Sequence, residues 1–157
     1  MAFRDKRLNE RAAMLQASPL FLDLHADEIA LLAELCQEVA VANGEIIFRE
    51  DEPGDSLYIV LQGEVEVLRE SGAQDRVAQV VAVLGRGEFF GEMSMLEKST
   101  RSATVRSRMD SRLLIVTTED FYSFAKIFKN GFTVVIINIA RILSQRLRQT
   151  TGRLSER

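Results

Sequence analysis

Phe89-Phe90-Gly91-Glu92-Met93-Ser94-Met95-Leu96-Glu97-Lys98-Ser99-Thr100-Arg101-Ser102-Ala103-Thr104-Val105 is the stretch on which the fold of this chain turns. A glycine and a carboxylate open it, a short apolar segment follows, and an arginine with small neighbours closes it. Gly91 lets backbone approach a ligand with no side chain in the way, and the next residues start a helical turn whose free N–H groups favour an anion. Glu92 cannot face that anion, so its carboxylate suits a sugar hydroxyl instead. Arg101 carries a planar, permanently charged donor fork matched to phosphate oxygens, and Ser102 and Ala103 keep the backbone beside it accessible. Together these residues describe a cradle for a small phosphate ester. The alternative is a plain ion pair between Glu92 on a turn and Arg101 on a strand.

Working outward, short apolar or alternating runs are punctuated by turn residues. Asn43-Gly44-Glu45 precedes Ile46 to Phe48, and Glu52-Pro53-Gly54-Asp55 separates that run from Leu57 to Leu61. Gly63 introduces Val65 to Leu68, Asp75 to Leu84 supplies a further strand, and Ala103 to Val116 supplies a pair broken near Arg108-Met109-Asp110-Ser111. Such spacing predicts a small all-β barrel or jelly roll. The expected fold class is mainly β with flanking helices: a jelly-roll β-barrel plus N-terminal helices and a long C-terminal helix.

The quoted stretch resembles the phosphate-binding cassette of the cyclic-nucleotide-binding domain family. That pattern reads Phe-Gly-Glu, an apolar, a small and an apolar residue, then a loop, an arginine and two small residues. Phe90, Gly91, Glu92, Met93, Ser94, Met95, Arg101, Ser102, Ala103 and Thr104 fall on it, with Leu96 to Thr100 as the loop. Where the family often has proline before the arginine, this chain has Thr100, which removes a rigid approach to Arg101. The glycine pattern upstream is similar to the same family, and the resemblance covers about residues 18 to 151.

A chain of 157 residues with 46% hydrophobic content holds one sizeable core, and nothing marks a second. The expected organisation is a helical extension over residues 1–17 and a nucleotide-binding domain over 18–157, with the barrel at about 37–117 and C-terminal helices at about 118–151. The net charge of −3 does not advertise nucleic-acid binding. No apolar run approaches the ~20 residues of a membrane span, and Met1 to Lys6 lacks the apolar region of a secretion signal, so a cytoplasmic location is expected.

Enzymatic readings find few parts to work with. His25 is the only histidine and Cys36 the only cysteine, so no metal centre and no internal disulfide is expected. His25 precedes Asp27 at a helix start, where a surface or capping role fits. Cys36 falls in a helical pattern with Ile29, Leu31, Leu32, Leu35 and Val39, which predicts a helix from about Asp27 to Val39 and a buried, inert thiol. Glu50, Asp51, Glu52 and Asp55 cluster at a Pro-Gly turn and read as a solvated turn. No catalytic residues are assigned. Before the barrel, Arg4 to Gln16 predicts an amphipathic helix carrying Leu8, Ala12 and Leu15, redirected at Pro19.

The expected C-terminal helix runs from about Phe132 to Thr151. Ile136, Ala140, Leu143, Leu147, Thr150 and Leu154 recur at the spacing of a two-stranded coiled-coil seam, with Val135, Ile139 and Ile142 as a second stripe. A homodimer through this helix follows, the alternative being burial of both stripes in one monomer. The helix resembles the dimerisation helix of the catabolite activator protein branch of the family. There an arginine-leucine pair is followed by two hydroxyl residues that reach the adenine amino group, and Arg146-Leu147 with Thr150-Thr151 corresponds. The same resemblance implies that Val81 and Ala82 line the base pocket.

The ligand so implied is cyclic AMP, with cyclic GMP possible, since Ser102 does not settle the choice. Only Gly152 to Arg157 follow the helix, too few for a recognition helix. Arg141, Arg146, Arg148, Arg153 and Arg157 read as a solvated helix face, and no direct nucleic-acid contact is expected. The expectation is a sensor module acting through a downstream protein that the sequence does not identify, or the sensor half of a longer regulator. The rival from another class is a structural dimerisation domain without ligand, and an enzyme acting on a phosphate ester stands third.

Overall fold

The computed structural model describes residues 2–70 and 77–155, which group into two compact units. The first, Leu35–Asp120, contains eight strands: β1 (Gln37–Val41), β2 (Ile46–Phe48), β3 (Ser56–Gln62), β4 (Val65–Glu70), β5 (Ala78–Leu84), β6 (Phe89–Phe90), β7 (Thr104–Ser107) and β8 (Ser111–Thr117). They form two antiparallel four-stranded sheets, ordered β1-β8-β3-β6 and β2-β7-β4-β5. That order, in which each sheet takes strands from both halves of the unit, is a jelly roll. Alternating side chains turn inward to a core of Val41, Phe48, Val60, Val65, Phe90, Val105 and Leu113. Burying each contributes about 1.5–3 kcal/mol, which is why strands this short hold their register.

The second unit joins the residues up to Glu34 with those from Phe121 onward. It holds α1 (Ala2–Ala17), a 3-10 turn (Pro19–Phe21), α2 (Ala26–Leu35, its last residue in the first unit), the end of α4 (Thr118–Ile127) and α5 (Lys129–Ser155); α3 belongs to the site below. Ser18 ends the first helix and starts the turn, its hydroxyl accepting from Leu20 N at 3.3 Å. His25 caps α2: its carbonyl accepts from Ile29 N at 3.0 Å, and its own N–H donates to Glu28 Oε1 at 2.9 Å. Leu15, Leu20, Phe21, Leu32, Phe124, Val135 and Ile139 are buried. Asn138, 3% exposed, donates through Nδ2 to the carbonyls of Leu20 and Leu22 at 3.1 and 2.8 Å, which fixes α5 against the turn.

Several element bounds differ from expectation. The helix expected to reach Val39 stops at Leu35, because Gln37–Val41 leaves it to pair with β8, Val39 opposite Leu113. Cys36 lies between the two, 2% exposed. The two-residue strand β6 has no sequence signal of its own. The fifth strand starts at Ala78; Asp75, Arg76 and Arg157, and the side chains of Arg153 and Leu154, lie outside the described residues. The last helix begins at Lys129, three residues before Phe132. Among the described residues, no helix is long and apolar enough to cross a membrane.

Candidate functional site

The short helix α3 (Glu92–Glu97) leaves the end of β6 through Gly91, whose φ of 85° is left-handed. A Cβ there would lie 2.7 Å from Arg101 Nη1 and 2.9 Å from the Ser56 carbonyl, so conformation and space both demand glycine. Within α3, Glu92 and Ser94 are buried, 6% and 3% exposed, while Met93 faces outward. The helix stops at Lys98, itself left-handed at φ 52°.

The chain then returns past the turn that precedes β3. Arg101 N donates to Glu52 O at 2.8 Å, Asp51 N donates to Arg101 O at 2.9 Å, and Thr100 lies opposite Pro53 in an isolated bridge. Backbone pairing therefore holds the approach to Arg101 that a proline would otherwise stiffen. The Arg101 side chain is 4% exposed. Its Nη1 donates to the carbonyls of Ser56 and Gly91, at 2.9 and 3.1 Å. Its Cζ stands 4.0 Å from the ring centroid of Phe48 and 5.7 Å from that of Tyr58, and Tyr58 stacks on Phe90 at 5.1 Å and 6°. Among the described residues, the buried Nε has no hydrogen-bond partner.

Burial pushes the guanidinium pKa down, while Tyr58, Asp55, Glu52 and Glu92 nearby pull it back up. The Tyr58 hydroxyl is pushed up by the same burial, against the pull of Arg101. Arginine stays cationic at neutral pH, so the site holds a desolvated positive charge whose buried Nε donor is unspent. An anionic oxygen is the chemistry that satisfies both.

Ser102 is exposed, its hydroxyl 3.8 Å from Met93 Sδ, and Ala103 is 8% exposed. Val81 and Ala82 lie in the same unit on β5, an edge strand. Val67 pairs with Ala82 and Leu68 with Val80, so Val81 is the extra residue of a β-bulge and is 54% exposed. Arg146, Thr150 and Thr151 belong to the other unit, on α5. The hydroxyls of Thr150 and Thr151 donate to the carbonyls of Arg146 and Leu147 at 3.1 and 3.0 Å. Along the expected seam Ile136 and Leu143 are half-buried, Ala140 and Thr150 exposed, and Leu147 68% exposed; of the second stripe, Val135 and Ile139 are buried and Ile142 half-buried. Among the described residues, no three His, Cys, Asp or Glu side chains converge in a metal-holding group.

Of four residues beside Arg101, Phe48, Ser56 and Tyr58 carry no motif in the sequence, and Gly54 reads there only as part of a turn. The one signal for them is that two strands bearing aromatics flank the Pro53-Gly54 turn.

The cyclic nucleotide-binding domain family matches the chain over residues 38–127. The cyclic AMP receptor protein of Thermus thermophilus is 35% identical over 136 residues, covering 86% of this chain and 60% of that protein. The cAMP-dependent protein kinase regulatory subunit of Emericella nidulans is 29% identical over 142 residues, covering 90% of this chain and 30% of that subunit. The chain thus spans less than two thirds of either relative. The crystal structure of a cyclic nucleotide-binding domain from Methylobacillus flagellatus superposes with a TM-score of 0.82 at 26% identity, covering 95% of this chain and 83% of that one. With the family matched over more than half of the chain and the two sheets ordered as a jelly roll, this chain belongs to the cyclic nucleotide-binding domain family.

Proposed function

We propose that this domain is a cytoplasmic, non-enzymatic sensor that binds cyclic AMP in the cassette and signals through α5. The observation that carries this reading is Arg101: a buried cation anchored through Nη1, with Nε unspent, beside Gly91 and the buried Glu92. Arg101 takes the cyclic phosphate. Glu92 accepts from the ribose hydroxyl, Gly91, Ser102 and Ala103 admit the phosphate to the backbone, and Met93 and Ser94 shape the helix beside it. Val81 and Ala82 receive the base. Support for cyclic AMP comes from the two relatives whose names carry it.

The half-exposed seam on α5 supports a homodimer, in which Arg146, Thr150 and Thr151 meet the adenine of a nucleotide held by the partner protomer. A hydroxyl that donates back to its own helix still offers lone pairs to an amino group. Ligand then favours one helix arrangement over another, and a downstream protein reads the change.

Titration calorimetry with cyclic AMP and cyclic GMP tests the reading. Cyclic AMP should bind more tightly. At about a hundredfold excess over its Kd it should stabilise the fold by roughly 2.7 kcal/mol, visible as a rise in melting temperature. 5′-AMP should do much less, since its extra charge and open phosphate suit a cyclic-diester site poorly. Equal shifts from both nucleotides would replace this reading with a general phosphate site.

A further inference from the structure

We propose that Gly54 and Phe48 are positioning residues for phosphate recognition, holding the Arg101 guanidinium so that its Nε edge meets the anion. The proposal rests on the reading of the cassette as a cyclic-nucleotide site. A guanidinium carries five N–H donors in one plane, and its two ends are not equivalent. Both hydrogens of Nη1 are accounted for by the Ser56 and Gly91 carbonyls. That end is the anchor. Nε is buried without a partner, and it shares with Nη2 the edge whose parallel N–H bonds suit two oxygens of one phosphate.

Anchoring one end leaves the plane free to tilt, and Gly54 and Phe48 remove that freedom. A Cβ built on Gly54 would lie 2.3 Å from Arg101 Nε, 2.6 Å from Cζ and 2.8 Å from Cδ. Such similar distances to three consecutive atoms place the added carbon over the plane rather than in line with the N–H bond. Backbone at Gly54 is therefore packed on the guanidinium, and any side chain there displaces it. The φ of Gly54 is outside the left-handed region, so the glycine serves space and not conformation, unlike Gly91. Phe48 holds Cζ 4.0 Å from its ring centroid, and its ring is wedged by Tyr58 and Phe90 at 5.7 and 5.8 Å. The shelf is rigid because its neighbours are core.

Calorimetry with cyclic AMP on the parent, Gly54→Ala, Phe48→Leu, Phe48→Tyr, Arg101→Ala and the Gly54→Ala/Arg101→Ala pair tests this. Gly54→Ala should weaken binding by about tenfold, the scale of one misaligned charged hydrogen bond. Its ligand-free melting temperature should stay within about 4 °C of the parent. Phe48→Leu should weaken binding by about threefold, and Phe48→Tyr, which keeps the ring, should restore it. Added to Arg101→Ala, Gly54→Ala should cost nothing more, because its effect acts only through that arginine.

Parent-like affinity in Gly54→Ala, or an equal loss with and without Arg101, would overturn the positioning role while leaving the site standing. If Gly54→Ala melts early, the Phe48 pair decides: equal affinity in Phe48→Leu and the parent overturns the proposal. A parent that binds no cyclic nucleotide removes the reading of the site, and the proposal with it.

Discussion

The cassette and the far end of α5 hold their polar side chains in different ways. Arg101 is 4% exposed, bonded at one end, stacked on Phe48 and unpartnered at Nε. Thr150 and Thr151 are exposed, and their hydroxyls turn back onto the carbonyls of their own helix. In the first region the fold has desolvated and oriented a charge before any ligand arrives. In the second, the hydroxyls are tied back onto their own helix. On the proposed reading, affinity for phosphate is local to one protomer, while base preference depends on what a second helix brings.

The largest effect expected from this contrast is on Arg101. Arg101→Ala should lower cyclic AMP affinity by about a hundredfold with the fold intact by circular dichroism, and Arg101→Lys should bind almost as poorly because a point charge cannot reproduce the fork. Unchanged affinity would dissolve the contrast at its stronger end. Next comes Leu143→Glu, which should yield a monomer by light scattering and weaken binding by about tenfold if the partner helix completes the site. A monomer that binds like the parent would show that one protomer suffices.

A finer probe is Thr150→Ala with Thr151→Ala. Losing a neutral hydrogen bond is worth about threefold to tenfold, so the double variant should bind cyclic AMP and cyclic GMP alike while keeping phosphate-dependent affinity. A preserved preference would move base selection back to the barrel. The smallest effect belongs to Thr100→Pro. Thr100 faces Pro53 at a bridge whose hydrogen bond is made by Arg101 N and Glu52 O, so its own N–H is not spent there. Affinity should stay within about threefold of the parent.

The barrel is legible because inward and outward residues alternate locally along each strand and turn residues bound them. The first strand is not, since Ile29 to Val39 carries a helical spacing that tertiary pairing with β8 overrides. The cassette is legible as residue types, a glycine, a carboxylate and an arginine at set distances. Its support is not: Phe48, Gly54 and Tyr58 reach Arg101 from more than forty residues away, and only the folded sheet puts them there. The seam on α5 is legible as a spacing, but a spacing cannot say which stripe the monomer buries, and here Val135 and Ile139 are buried within it.

The edge strand β5 has a colloidal consequence. Val80, Val81 and Val83 are 51%, 54% and 42% exposed, and no charged residue lies between Ala78 and Leu84. Sheet edges of this composition recruit other strands, and lysines or prolines usually blunt them. Here the bulge at Val81 does that work, breaking the edge into Ala78–Val80 and Ala82–Leu84, each too short to template a fibril by itself. Straightening the bulge by deleting Val81 would make concentrated solutions turbid long before it unfolded the barrel.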